Sequence, residues 1–227
     1  MVSLVLLSLS VGFQAGIPAR PAQSMSIALT PDEKTVCVAN QDSGTVSLLA
    51  WSTDDELREI AVGDEPRTVA VSPAGDLLYV TTQRSQELAV VDIEAGRCTG
   101  RIPIGGQPVG VVLSTDGRVA YVAQYAGEYL DGKYVPGAVA MVDLVAGKVT
   151  ARIGVKPRPF ALALSADGKT LYVTHFFQVD GRGFVTVIDT EGFKVRCEIP
   201  LDADDDVTGG RGGVFNALAS FAIHPQG

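Results

Sequence analysis

Few residues of this 227-residue chain could do chemistry, and their spacing narrows what that chemistry could be. Two histidines, His175 and His224, and three cysteines, Cys37, Cys98 and Cys197, are the possible bases, nucleophiles and soft metal ligands. The cysteines form no CxxC, CxxCH or zinc-type spacing, so neither a c-type haem attachment nor a zinc site is expected within the chain. Asp202-x-Asp204-x-Asp206 places carboxylates at alternate positions, like the start of a calcium loop. Yet Val207 stands where such a loop needs glycine, and Gly213 where it needs a bidentate glutamate. Calcium on Asp202, Asp204 and Asp206 therefore competes with a plain solvated acidic loop, and no other cofactor is evident. Gly209-Gly-Arg-Gly-Gly213 reads either as an anion-binding backbone nest or as a flexible run. Asp92, Asp143 and Asp189 recur at equivalent positions, which fits strand-end hydrogen bonding rather than a paired acid and base. GxSxG, P-loop and HExxH motifs are all absent, so a catalyst within this chain is not expected.

Those residues are positioned by a repeat. Thr30, Ser72 and Ser114 are spaced by 42 residues, and Ser165 follows after 51. Seven residues beyond each comes Cys37, Tyr79, Tyr121 or Tyr172, and later in each unit an isoleucine, Ile60, Ile102, Ile153 or Ile199. Pro66, Pro108 and Pro159 open the next units. In the most regular copy, Thr68–Val71, Leu78–Thr81, Glu87–Asp92 and Cys98–Pro103 read as short strands rich in Val, Leu and Tyr, separated by Gly- and Pro-containing turns. Four strands in a period of about forty residues is the signature of a propeller blade.

The pieces LYVTT (78–82), AYVAQ (120–124) and LYVTH (171–175) are each followed by a VVD, MVD or VID strand. Together with the turns SPAG, STDG and SADG at 72, 114 and 165, they resemble the YVTN family of β-propeller repeats, a WD40-like architecture. The resemblance spans roughly residues 24 to 227. It implies an all-β propeller of four-stranded antiparallel blades, while propellers of this kind serve as surface proteins, beside cytochrome domains, or as lactonase-like enzymes.

Blades are expected at about 24–65, 66–107, 108–158 and 159–217, with a fifth beginning at 218–227. Four blades and one further strand leave an unpaired edge, so the sequence reads as part of a larger propeller, or else as an open array. Met1–Phe13 is apolar, uncharged and too short to span a bilayer as a helix. With the linker to residue 23 it reads as a secretory signal, or as a strand of a preceding blade. The first reading puts the protein in the periplasm or outside the cell. A formal net charge of −8 disfavours nucleic acid or an anionic membrane as partner. Cys98 and Cys197 fall a whole blade apart, too far for a disulfide, and all three cysteines are expected to act as small apolar residues.

Every insertion lies between second and third strands (125–137, 176–183) or between one blade and the next (200–216). In an antiparallel meander both loop types emerge at the same end, so all elaboration is at one end. That end carries Asn40, Thr82, Gln124 and His175 at one repeat position, with Tyr125, Tyr129, Arg182 and Arg211. The expected function is a non-catalytic binding scaffold, a module of a larger secreted protein, taking a protein or polar small molecule there. The alternatives are the propeller part of a redox protein, with a haem domain beyond this sequence, and a lactonase-like hydrolase.

Overall fold

A computed structural model of the chain describes residues 24–50, 57–125, 129–130, 133–134, 136–176 and 182–201. Four antiparallel sheets of four strands each follow the sequence repeat. The first contains β1 (Ser24–Leu29), β2 (Thr35–Asn40), β3 (Thr45–Ala50) and β4 (Leu57–Ala61). The second contains β5 (Pro66–Val71), β6 (Leu77–Thr82), β7 (Glu87–Asp92) and β8 (Arg97–Pro103). In the third, β9 (Pro108–Leu113) and β10 (Val119–Gln124) pair with β13 (Gly137–Asp143) and β14 (Lys148–Val155). The fourth comprises β15 (Pro159–Leu164), β16 (Thr170–His175), β17 (Gly183–Asp189) and β18 (Lys194–Leu201). The insertion of the third unit, where the sequence predicts a loop, forms a small hairpin of β11 (Tyr129–Leu130) and β12 (Lys133–Tyr134). Among the described residues there is no helix, and none therefore long and apolar enough to cross a membrane.

Strand position dictates strand composition. The second strands β6 and β10 are buried on both faces and read as apolar runs, whereas the outer β8 and β14 alternate between exposed and covered residues. The first strands β1, β5, β9 and β15 pack in succession against one another, while the fourth strands scarcely meet. The sheets thus converge on an axis at their first strands and splay outward, as propeller blades do.

Three apolar clusters fill the gaps between successive sheets. Cys37, Leu48, Leu78 and Val80 lie in the first, Tyr79, Leu88, Ile102 and Val122 in the second, and Tyr121, Val139, Leu171 and Ile188 in the third. Cys37, Tyr79 and Tyr121 are equivalent and buried, as the spacing predicts; burial pushes the Cys37 thiol up to about 11. Tyr172 departs from that expectation and is only half-buried. It occupies the face of the fourth sheet turned away from the third, the same face on which Ile199 is 43% exposed. Cys197 is exposed there too, so the expectation that all three free cysteines are buried holds for Cys37 and partly for Cys98, not for Cys197. Across the sheet gaps, Arg101 Nη1 donates to the Val62 carbonyl and Arg152 Nη2 to the Ile104 carbonyl (2.9 Å). In the fourth unit a Lys156–Glu198 ion pair at 3.0 Å takes the place of this link.

The recurring Ser/Thr and Asp close the turns at one end. Ser114 Oγ donates to Asp116 Oδ1 (2.6 Å) and accepts from the Val119 amide (2.9 Å); Thr30–Asp32 and Ser165–Asp167 repeat the pattern. In the second unit Ser72 reaches Asp76 instead. The hydroxyl donor, with the backbone amide two residues on, holds Asp32, Asp116 and Asp167 below the ordinary carboxylate value of 3.8. Asp92, Asp143 and Asp189 accept backbone amides of the next turn, from Ala95, Ala146 and Gly192, each at 2.8 Å. That is the strand-end role their recurrence implies.

Candidate functional site

The registers bring the start of each first strand beside the end of each second strand: Pro66 faces Thr82, Pro108 faces Gln124 and Pro159 faces His175. The loops from second to third strands and from blade to blade therefore share one end, as expected. Asn40, Thr82, Gln124 and His175 do lie at this end, but the structure buries them instead of presenting them to solvent. Their hydrogen bonds run to the adjoining third strand or to the blade-to-blade loop. Asn40 Nδ2 donates to Ser47 Oγ (2.7 Å) and Thr82 Oγ1 to the Glu87 carbonyl (3.1 Å). Gln124 Nε2 donates to the carbonyls of Ile104 and Gly105, both at 3.1 Å, clamping the blade-to-blade loop.

His175 performs the same clamping with a ring. Its Nδ1 is 3.1 Å from the Pro157 carbonyl and its Nε2 is 2.8 Å from Thr186 Oγ1. A carbonyl only accepts, so Nδ1 carries the proton and Nε2 accepts from the Thr186 hydroxyl. Burial holds the imidazole below its ordinary value of 6.5, against the opposing effect of the Pro157 carbonyl. Both ring nitrogens are thus engaged within the fold.

Of the other expected residues, Tyr125 is half-buried as the first residue of its loop, and Arg182 is exposed beside β17. Tyr129 belongs to the β11–β12 hairpin. Arg211 and the proposed calcium ligands Asp202, Asp204 and Asp206 lie outside the described residues.

What gathers at this end near the axis is a set that the repeat pattern does not single out: Arg67, Arg158, Phe160 and Phe176, around Tyr125. Arg67 and Phe160 are the second residues of the inner strands β5 and β15, in the second and fourth units. The Arg67 guanidinium nevertheless lies over the Phe160 ring, 5.9 Å from its centroid. A contact that skips the intervening unit is possible only where the blades converge. Tyr125 meets Phe160 and Phe176 edge-on at 6.1 and 6.2 Å, and the two phenylalanines lie 5.3 Å apart. Arg158 sits over Tyr125 at 5.4 Å and donates to its hydroxyl at 3.3 Å.

Two backbone features hold this group. Gly110 on β9 lets the Phe160 backbone approach so closely that a Cβ there would overlap the Phe160 carbonyl oxygen. Glu65, Gln107 and Arg158, each preceding the opening proline, adopt positive φ values of 54°, 53° and 55°. Their carbonyls accept from the amides of Gln83, Tyr125 and Phe176, so each blade-to-blade loop is tied to the neighbouring loop. The available signal was divergence at one repeat position: Arg67 stands where the later units carry Val109 and Phe160.

Among the described residues no three His, Cys, Asp or Glu side chains group as a metal set. The stretch 14–102 contains no histidine. A model of the family described as lactonase, 7-bladed beta-propeller, matches those residues, 14–102, less than half of the chain. No curated protein matches. Hydrazine synthase of Kuenenia stuttgartiensis superposes with a TM-score of 0.73 at 26% sequence identity, over 85% of this chain and 53% of that one. The chain thus spans about half the length of the solved structure it matches. The radial sheets and this superposition together make the fold a β-propeller, and the likeness to the lactonase family is confined to its first two blades and the residues just before them.

Proposed function

We propose that this chain is a non-catalytic binding module built from YVTN-type propeller repeats, secreted or periplasmic, that engages a protein or polar small molecule at its loop end. One observation carries the reading: arginines and aromatic rings from three units meet at the axis there, whereas the repeated polar groups of the other end are engaged in their own turns. Arginine and aromatic groups are the ones interfaces favour. The uncharged apolar stretch 1–13 supports export.

The test is a thermal-shift screen of polar metabolites and peptides. Any hit is repeated on variants with 126–136 or 201–213 shortened to the loop length of the second blade, and on Ser114→Ala at the turn end. Loss of binding on loop shortening, with Ser114→Ala unaffected, is the expected result. A hit sensitive only to the turn end would place the site at the wrong end.

The lactonase-family match favours a second reading, a lactone hydrolase. A pH-stat assay over a panel of sugar lactones tests it, and turnover that tracks the protein through purification would displace the scaffold reading.

A further inference from the structure

We infer that Arg67 is a receptor for the oxyanion end of a small organic anion whose apolar body rests on the rings of Phe160, Tyr125 and Phe176. This deepens the proposed function and rests on its choice of the loop end. The first argument is an unmet donor. Arg67 Nε is buried and has no hydrogen-bond partner among the described residues. Leaving a buried donor unpaired is costly, more so when it is charged, so such a group calls for a ligand or another explanation.

Next comes charge. Glu65, two residues away, is the acidic group that acts on Arg67, and its carboxylate is already bridged by Arg84 at 2.9 Å. Burial lowers the basicity of Arg67 more than Glu65 and Tyr125 restore it, which marks a cation short of counter-charge.

Shape completes the argument. A guanidinium presents parallel N–H donors that match the two oxygens of a carboxylate. Phe160, which the guanidinium overlies, packs with Tyr125 and Phe176 into an apolar wall in which Tyr125 meets both phenylalanines edge-on, and ring edges are themselves partly positive. A bare inorganic anion would use the guanidinium and leave the wall idle, so the combination selects an organic anion. Cation–π contact with Phe160 alone, a packing role, would occupy the face of the guanidinium and leave its in-plane Nε donor unexplained.

Calorimetric titration of the full chain with benzoate, acetate and inorganic phosphate at low salt tests the inference. Saturable binding is expected, with benzoate at least tenfold tighter than acetate or phosphate. Arg67→Gln should abolish it; Arg67→Lys, which keeps the charge but not the fork, should weaken it about tenfold. Phe160→Leu should reduce the preference for benzoate and leave acetate binding unchanged. In the unmutated protein, the Arg67 Nε–H resonance should shift on benzoate addition, a readout independent of how the variants fold. No saturable benzoate binding, phosphate bound more tightly than benzoate, or an unmoved Arg67 signal would each overturn the assignment. If benzoate fails while a screened ligand is still lost on loop shortening, only the anion assignment falls; if no ligand responds to the loop end, the binding-end reading falls with it.

Discussion

At the turn end, Thr30, Ser114 and Ser165 each donate to an aspartate two residues on, and Ser72 does so to Asp76, all at 2.6 Å. At the loop end the equivalent positions share almost nothing: Asn40, Thr82, Gln124 and His175 end the second strands, and Arg67, Val109 and Phe160 follow the opening prolines. One backbone thus carries two regimes. Where each unit must close its own tight turn, the same local hydrogen bonds suffice every time, and the chemistry repeats. Where neighbouring units meet around an axis, each loop has different neighbours, and the chemistry diverges. Divergence within a repeat is thus where a binding site can arise without loss of the fold.

The strongest test of this contrast lies in the rings between the blades. Tyr121 reaches the turn end, where it stacks on Phe193 at 6.1 Å. Tyr121→Ala is expected to cost about 3–5 kcal/mol in urea unfolding, as buried aromatics do. The half-buried Tyr172 should cost well under that when truncated, and equal losses would mean that its outer face is covered as fully as the inner ones.

Gly110→Ala tests the loop end. The added methyl meets a backbone oxygen that cannot swing aside, so a loss of about 1–3 kcal/mol is expected. Because the Phe160 backbone must move, benzoate affinity should fall as well, whereas Gly154→Ala, which meets nothing, should change neither.

A smaller effect separates the ends by pH. His175 has its folded value lowered below 6.5, so the unfolded chain binds the proton more readily. Its contribution is complete above pH 6.5 and is lost as pH falls from there towards the folded value. Urea midpoints measured from pH 7.5 to 5 should show this decline, and His175→Gln should flatten it; an unchanged slope would mean that the ring does not titrate with unfolding.

The smallest effect belongs to the exposed turn carboxylates. Asp116 and Asp167 have folded values lowered below 3.8, so the stability they confer is present above that value and is lost as pH falls through the folded ones. Ser165→Ala removes the largest cause of the Asp167 shift and should soften the acid limb of the unfolding curve without altering ligand binding at neutral pH. A change in binding would break the division between the two ends.

Much of the scaffold could be read directly. The spacing of Thr30, Ser72, Ser114 and Ser165 marks the four described sheets, and the recurrence of Asp92, Asp143 and Asp189 identifies turn acceptors, because their partners lie two to five residues away, whereas the expected fifth blade at 218–227 lies outside the described residues. The same period marked Tyr79 and Tyr121 as equivalent core positions. Exposure is harder to read: the sequence places His175 among the ligand-facing residues of the loop end because it shows that a strand ends, not whether the ends of neighbouring blades close over it.

By itself, the sequence determined the repeat, the strand order, the end that bears the loops, and the local hydrogen bonds that shape each turn. All of these depend on residues near one another along the chain. The tertiary structure alone decided which polar groups are buried and that Arg67 and Phe160, from blades that are not neighbours, share one site. The reason is geometric: convergence of the first strands on an axis joins positions separated by two repeats, and no local pattern encodes that distance.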